Sequence, residues 1–180
     1  MILEHYSKKL TVFDRSRVYK QREDEWHKPR GFWVSVKGAD DWPSWCEQEN
    51  FYWPEGLRHR YEVTIREDAN ILMLGTVAEL RAFHKEFKGE FTADSSDEYG
   101  VEMAKLRASY IDWHKVASTY DGIIIAPYQW PLRTDSELRW YYSWDVASGC
   151  IWNLDVIDIE WKEQDWIERR DASKKEAGTA

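Results

Sequence analysis

A chain of 180 residues with a formal net charge of −8 fits a single domain, and its acid excess argues against a general phosphate-backbone binder while leaving a local basic groove open. Its two cysteines, Cys46 and Cys150, fit no zinc spacing and read as free thiols of a reducing compartment. Twelve tryptophans, ten tyrosines and six phenylalanines are more than one site can use, so most of them belong to a core or its rim.

Residues 2–7 read as a short strand running into a polar turn. Residues 14–30 are charged and without a period, ending in Lys28-Pro29-Arg30-Gly31, which predicts a loop with at most one helical turn. A basic bias lies in the first thirty residues, with Lys8, Lys9, Arg15, Arg17, Lys20, Arg22, Lys28 and Arg30. Aromatic and β-branched content makes 32–36 a strand. Asp41 then caps a helix expected over 44–51, with Pro43 tolerated at its start. Residues 60–66 alternate polar and apolar as a half-buried strand does, and 69–74 form a second apolar strand. Thr76 caps a helix over 77–88, whose Leu80, Phe83, His84 and Phe87 recur at helical spacing.

The acidic stretch 89–100 predicts an exposed loop, followed by helices over 102–110 and 112–119. Asp121-Gly122 turns the chain into a buried strand at 123–126. Residues 140–144 (WYYSW) read as an aromatic strand and 148–156 as another, while 158–166 either continue it or form a terminal helix. The expected organisation is one α+β domain over 1–170 and a disordered tail over 171–180. No leader-like apolar stretch opens the chain, and the longest apolar run, 123–127, is far too short to span a bilayer. A cytoplasmic protein without membrane contact is expected.

Phosphate-loop, dinucleotide-fingerprint, nucleophile-elbow and zinc-protease patterns are absent, and the five histidines are dispersed. Three segments stand out instead. Glu4-His5-Tyr6-Ser7 ends the opening strand. Lys28 to Ser35 (KPRGFWVS) leads into a helix carrying Trp42 and Trp45. Trp144-Asp145 precedes the small residues and Cys150 of a late strand. Singly, each has a structural reading: His5 as a hydrogen-bonded core histidine, Trp33 as core, Asp145 as a turn residue.

In order and spacing, the three segments resemble the ADP-ribosyltransferase superfamily, and within it small phage-encoded members. The resemblance implies a split antiparallel sheet with short helices, an NAD cleft, and transfer of ADP-ribose to a host protein or nucleic acid. Catalysis would fall to Asp145 and His5. NAD would be held by His5, Tyr6, Ser7, Gly31, Phe32, Trp33, Ser35 and Trp45, with Trp45 over the nicotinamide ring. The sequence departs from the family pattern at three points: Tyr6 follows the histidine where many members have a small residue, Trp33 stands where a tyrosine is usual, and the acid, usually Glu, lies before the late strand as Asp145, with Ser148 and Gly149 at the aligned positions. A non-catalytic module that binds a host protein through an aromatic surface, and another enzyme such as a nuclease or hydrolase with scattered acids, stay open beside this reading.

Overall fold

A computed structural model describes residues 1–22, 27–38, 40–51, 55–89, 100–102, 106 and 109–162. The expected loop over 89–100, the helix over 102–110, the end of the segment 158–166 and the tail 171–180 fall wholly or partly outside these residues.

Seven strands are described: β1 (Leu3–Ser7), β2 (Phe32–Val36), β3 (His59–Ile65), β4 (Ile71–Leu74), β5 (Gly122–Ile125), β6 (Ser148–Ile151) and β7 (Ile157–Lys162). They join in one sheet in the order β4-β5-β6-β2-β1-β3-β7. All neighbours are antiparallel except β4 and β5. The mixed α+β class is therefore that expected, but the ladder is continuous across the sheet and carries one parallel pair. Its weakest join is between β1 and β2, where only Leu3 with Val36 and Glu4 with Ser35 are paired, against five pairs between β1 and β3. A parallel neighbour needs a crossover, and β4 reaches β5 through helices α2 (Val77–Phe87) and α3 (Trp113–Ala117).

Alternation along the strands divides the core in two. One face carries Ile123, Ile125 and Cys150 and is covered by Leu80, Phe83 and Phe87 of α2, by Trp113, and by Trp140, Tyr141 and Trp144. The opposite face carries Phe32, Val34, Val63, Ile124 and Ile151. The start of α2 is fixed locally by a capping box, with Thr76 Oγ1 accepting from the Glu79 amide and the Glu79 carboxylate accepting from the Thr76 amide.

Three expectations are corrected. Helix α1 spans Trp42–Gln48, three residues short of the expected end, because Asn50 adopts φ 51°, which no helix continues through. The segment 140–144 is not a strand. It lies in a 3₁₀ turn, Arg139–Ser143, that buries Trp140, Tyr141 and Trp144 together and turns Tyr142 out to solvent, whereas a strand would have split those rings between two faces. The long strand expected over 148–156 is broken after Ile151. The amides of Trp152 and Asn153 both donate to the Asp121 carbonyl, and the chain makes a 3₁₀ turn, Leu154–Val156, before β7 begins.

Gly149 lies on β6, between β5 and β2. A Cβ there would lie 2.6 Å from Ile124 Cγ1 and 2.7 Å from the Ile123 carbonyl oxygen. Gly149→Ala is expected to cost about 1–3 kcal/mol through strain of that kind, read as a lower urea midpoint at unchanged slope. Wild-type stability in the variant would refute this packing.

Candidate functional site

Register brings the site together. Glu4 pairs with Ser35, and Ser35 pairs with Ser148, so three polar side chains from β1, β2 and β6 stand in a row on one sheet face. That is the face whose aromatic cover ends at Trp144. A cleft of about 320 Å³ opens there, lined by Glu4, His5, Tyr6, Lys28, Trp33, Val34, Ser35, Trp42, Asp145, Val146 and Ser148.

Glu4 is 5% exposed, and a carboxylate so buried needs partners. Tyr6 donates its hydroxyl to Glu4 Oε2 at 2.6 Å, while Arg60 Nη1 and Lys37 Nζ lie 3.3 and 3.6 Å from Oε1. Burial, and next the hydrogen bond to Glu4, push the Tyr6 phenol far above its ordinary value, so it stays a donor. Asp145 closes the other side. Lys28 Nζ lies 3.5 Å from one of its oxygens and Arg133 Nη2 3.6 Å from the other. Lys28 also sits over the Trp33 ring, 5.3 Å from its centroid.

Ser35 Oγ accepts from the Trp42 amide at 2.9 Å, and Asp41 Oδ1 accepts from the Ser44 amide. Together they aim the first turn of α1 at the cleft. Trp42 is therefore the ring at the mouth. Trp45, expected over the ligand, is not among the lining residues. It stacks on Trp42 at 5.0 Å and against Phe51.

The remaining sequence-selected residues lie elsewhere. Phe32 is buried in the core of the opposite face. Ser7 donates to the Lys9 carbonyl and shares a hydrogen bond with Thr11, which braces the turn after β1. Gly31 faces β6. A Cβ on it would lie 2.5 Å from Cys150 Sγ and 2.7 Å from the Ile151 carbonyl oxygen, so the close approach its bareness permits is to the protein's own strand. Its alanine variant is expected to lose about 1–3 kcal/mol.

His5 alternates with Glu4 and Tyr6. Its ring stacks on Phe32 at 4.1 Å and donates from Nδ1 to the Trp33 carbonyl at 2.8 Å. The imidazole thus fills the place where the β1–β2 ladder stops and satisfies a carbonyl the ladder would have used. Burial pushes its pKa below the ordinary 6.5, with the Trp33 hydrogen bond opposing less strongly, and His84 is lowered from 6.5 chiefly by burial too. A neutral His5 leaves Nε2 as an acceptor.

The unfolded chain therefore takes up protons below about pH 6.5 while the fold resists them. Stability is full above that value and falls as pH drops toward the lowered folded pKa values. His5→Asn keeps a donor for the Trp33 carbonyl but does not titrate, and should make urea midpoints between about pH 6.5 and 5 less pH-dependent. An unchanged profile would remove His5 from the titration.

Sequence reasoning assigned no role to Glu4, Lys28, Trp42, Arg133 or Ser148. The signals available were the period-two relation of Glu4 to Tyr6 in β1 and the place of Lys28 and Trp42 in the segment that leads through β2 into α1. Among the described residues, no group of three His, Cys, Asp or Glu side chains stands close enough to hold a metal ion, and no helix is long and apolar enough to cross a membrane. In comparisons with known proteins, no family model, no curated protein and no solved structure matches the chain.

Proposed function

We propose that the cleft holds the nicotinamide riboside end of NAD, and that the protein is a mono-ADP-ribosyltransferase-like enzyme of a phage or mobile element that modifies a host macromolecule. The observation supporting this reading is convergence. His5, Tyr6, Trp33, Ser35 and Asp145, picked from three distant segments, line one cleft beside the short β1–β2 join. The residues suit the ligand. Trp33 and Trp42 present rings to a planar heterocycle, and stacking of that kind contributes about 1–3 kcal/mol. Lys28 and Arg133 provide cations for a diphosphate. The volume is near the lower end for small-molecule sites, roughly 300–1,000 Å³, and suits half of the dinucleotide.

NAD supplies an activated glycosidic bond, whose nicotinamide departs with the bonding electron pair while an acceptor oxygen or nitrogen bonds the ribose carbon and gives up its proton. Asp145 lies where a carboxylate can face the positive charge that develops on the ribose. Lys28 and Arg133 flank its two oxygens. His5 acts as a positioning residue in this scheme, since its bond to the Trp33 carbonyl fixes the strand that carries the Trp33 ring.

A second reading, a non-catalytic module binding a host protein, is favoured by one observation. Trp130 and Tyr142 are 54% and 61% exposed, and Arg133 lies 5.8 Å from both ring centroids. Exposed Trp, Tyr and Arg are the residues that dominate protein interfaces. Calorimetric titration with NAD separates the two. Saturable binding that Trp33→Ala abolishes, with slow release of nicotinamide, supports the enzyme. No heat up to millimolar NAD would leave the interaction module.

A further inference from the structure

A second concavity lies at the other end of β6. The loop before β2 crosses the turn after β6 and the end of α3, and encloses a groove of about 630 Å³ between residues 15–21, the side of α3 that carries His114 and Ala117 with Ser118 at its end, and residues 152–155. The loop is pinned on both sides. Val18 forms a bridge with Asn153, and Arg15 pairs with Asp158. Gln21 clamps Arg30, accepting from its amide at 2.8 Å and donating to its carbonyl at 2.7 Å. The groove is therefore built into the fold.

Its charge runs against that of the molecule. On a chain of net charge −8, the lining carries Arg15, Arg17, Lys20 and His114 against the single acid Asp155. Arg15 is already engaged by Asp158. Arg17 lies over the Tyr19 ring, 4.7 Å from its centroid, and among the described residues neither it nor Lys20 has a carboxylate at ion-pair distance. A guanidinium stacked on an aromatic ring keeps its fork of donors available to an anion. Two such cations on a concave wall focus a local positive field. The surrounding acid excess repels an extended duplex and leaves room for a short anionic ligand.

We propose that this groove binds nucleotide phosphates, with Arg17 and Lys20 as the phosphate-contacting residues. This stands independently of the reading of the cleft. The shared chemistry is a phosphate beside a base, supplied either by a single-stranded nucleic acid or by a free mononucleotide.

The test uses the full chain and a fluorescent single-stranded DNA of about 12 nucleotides, within the span of single-strand sites, followed by anisotropy from about 50 to 200 mM salt. The logarithm of affinity should fall linearly with that of salt. Arg17→Glu/Lys20→Glu should reduce the slope by about 1.4, the value for two lost contacts to a single strand, and weaken binding about tenfold or more at the lower salt. Lys85→Glu/Lys88→Glu makes the same charge change outside the groove and should leave binding within about twofold. Competition with AMP separates the sources: full displacement identifies a mononucleotide site, and displacement by oligonucleotide alone identifies a strand site. Absence of binding by both ligands, or equal weakening by the two double variants, overturns the proposal. Because Arg17 and Lys20 are exposed, the double variant should fold as wild type, and Arg17→Gln/Lys20→Gln repeats the test without charge reversal. NAD binding in the cleft should not change in any of these variants.

Discussion

Trp144→Ala is expected to lower stability by about 3–5 kcal/mol, the range for removing a large buried aromatic ring. Trp144 is fully buried. Its ring meets Trp33 at 4.9 Å, Trp140 at 6.0 Å and Trp113 at 6.1 Å, so truncation opens a void among the rings of β2, α3 and the 3₁₀ turn. Its indole N–H has no acceptor among the described residues, which makes the loss one of packing rather than of a hydrogen bond. Tyr142, two residues earlier and 61% exposed, is the matched control. Its alanine variant should stay within about 0.5 kcal/mol of wild type. Equal urea midpoints for the two variants would refute the packing described. Trp144→Ala should also weaken any ligand in the cleft, because Trp33 would lose the ring it leans on.

The parts of the fold that sequence made legible are those set by local chemistry. Helix α2 is marked by Thr76 and Glu79, which satisfy each other's amides three residues apart. Strand β5 is a run of isoleucines entered through Asp121-Gly122, and all four of its residues are buried. The segment 139–143 resisted because strand and 3₁₀ turn suit aromatic residues equally, and the choice lay with the surrounding core. The site was legible in composition and illegible in facing. Adjacent strand residues point to opposite faces, so Glu4 and Tyr6 share the Ser35 face, while the His5 ring stacks on Phe32 although the residue also borders the cleft. Within α1, Trp42 lines the cleft and Trp45 backs it, a distinction set by the Ser35–Trp42 hydrogen bond between distant segments. The Glu4–Ser35–Ser148 row exists only once β2 has paired on both sides.

On the proposed reading of the cleft as an NAD site, Asp145→Asn is expected to reduce NAD cleavage by about 10²–10³ in kcat, the loss seen when one preorganised group facing transition-state charge is removed. The expectation rests on position and charge together. The side chain is 24% exposed and held by cations on both sides, so the carboxylate is aimed before ligand arrives. An amide keeps its shape and loses its charge. Stability should change by about 1 kcal/mol or less, since partly exposed ion pairs contribute little once solvent screens them. Activity and stability are thereby separated: kcat collapses while the urea midpoint holds. Lys28→Ala should behave differently. A cation that binds diphosphate equally in ground and transition states raises KM and leaves kcat nearly unchanged. Glu4→Gln supplies the contrast. Its carboxylate is already committed to Tyr6 and Arg60, and breaking that buried cluster should lower stability before it alters chemistry. If Asp145→Asn keeps kcat within about threefold of wild type while Glu4→Gln abolishes it at unchanged stability, the carboxylate that faces the ribose is Glu4, and the cleft is read from the wrong side.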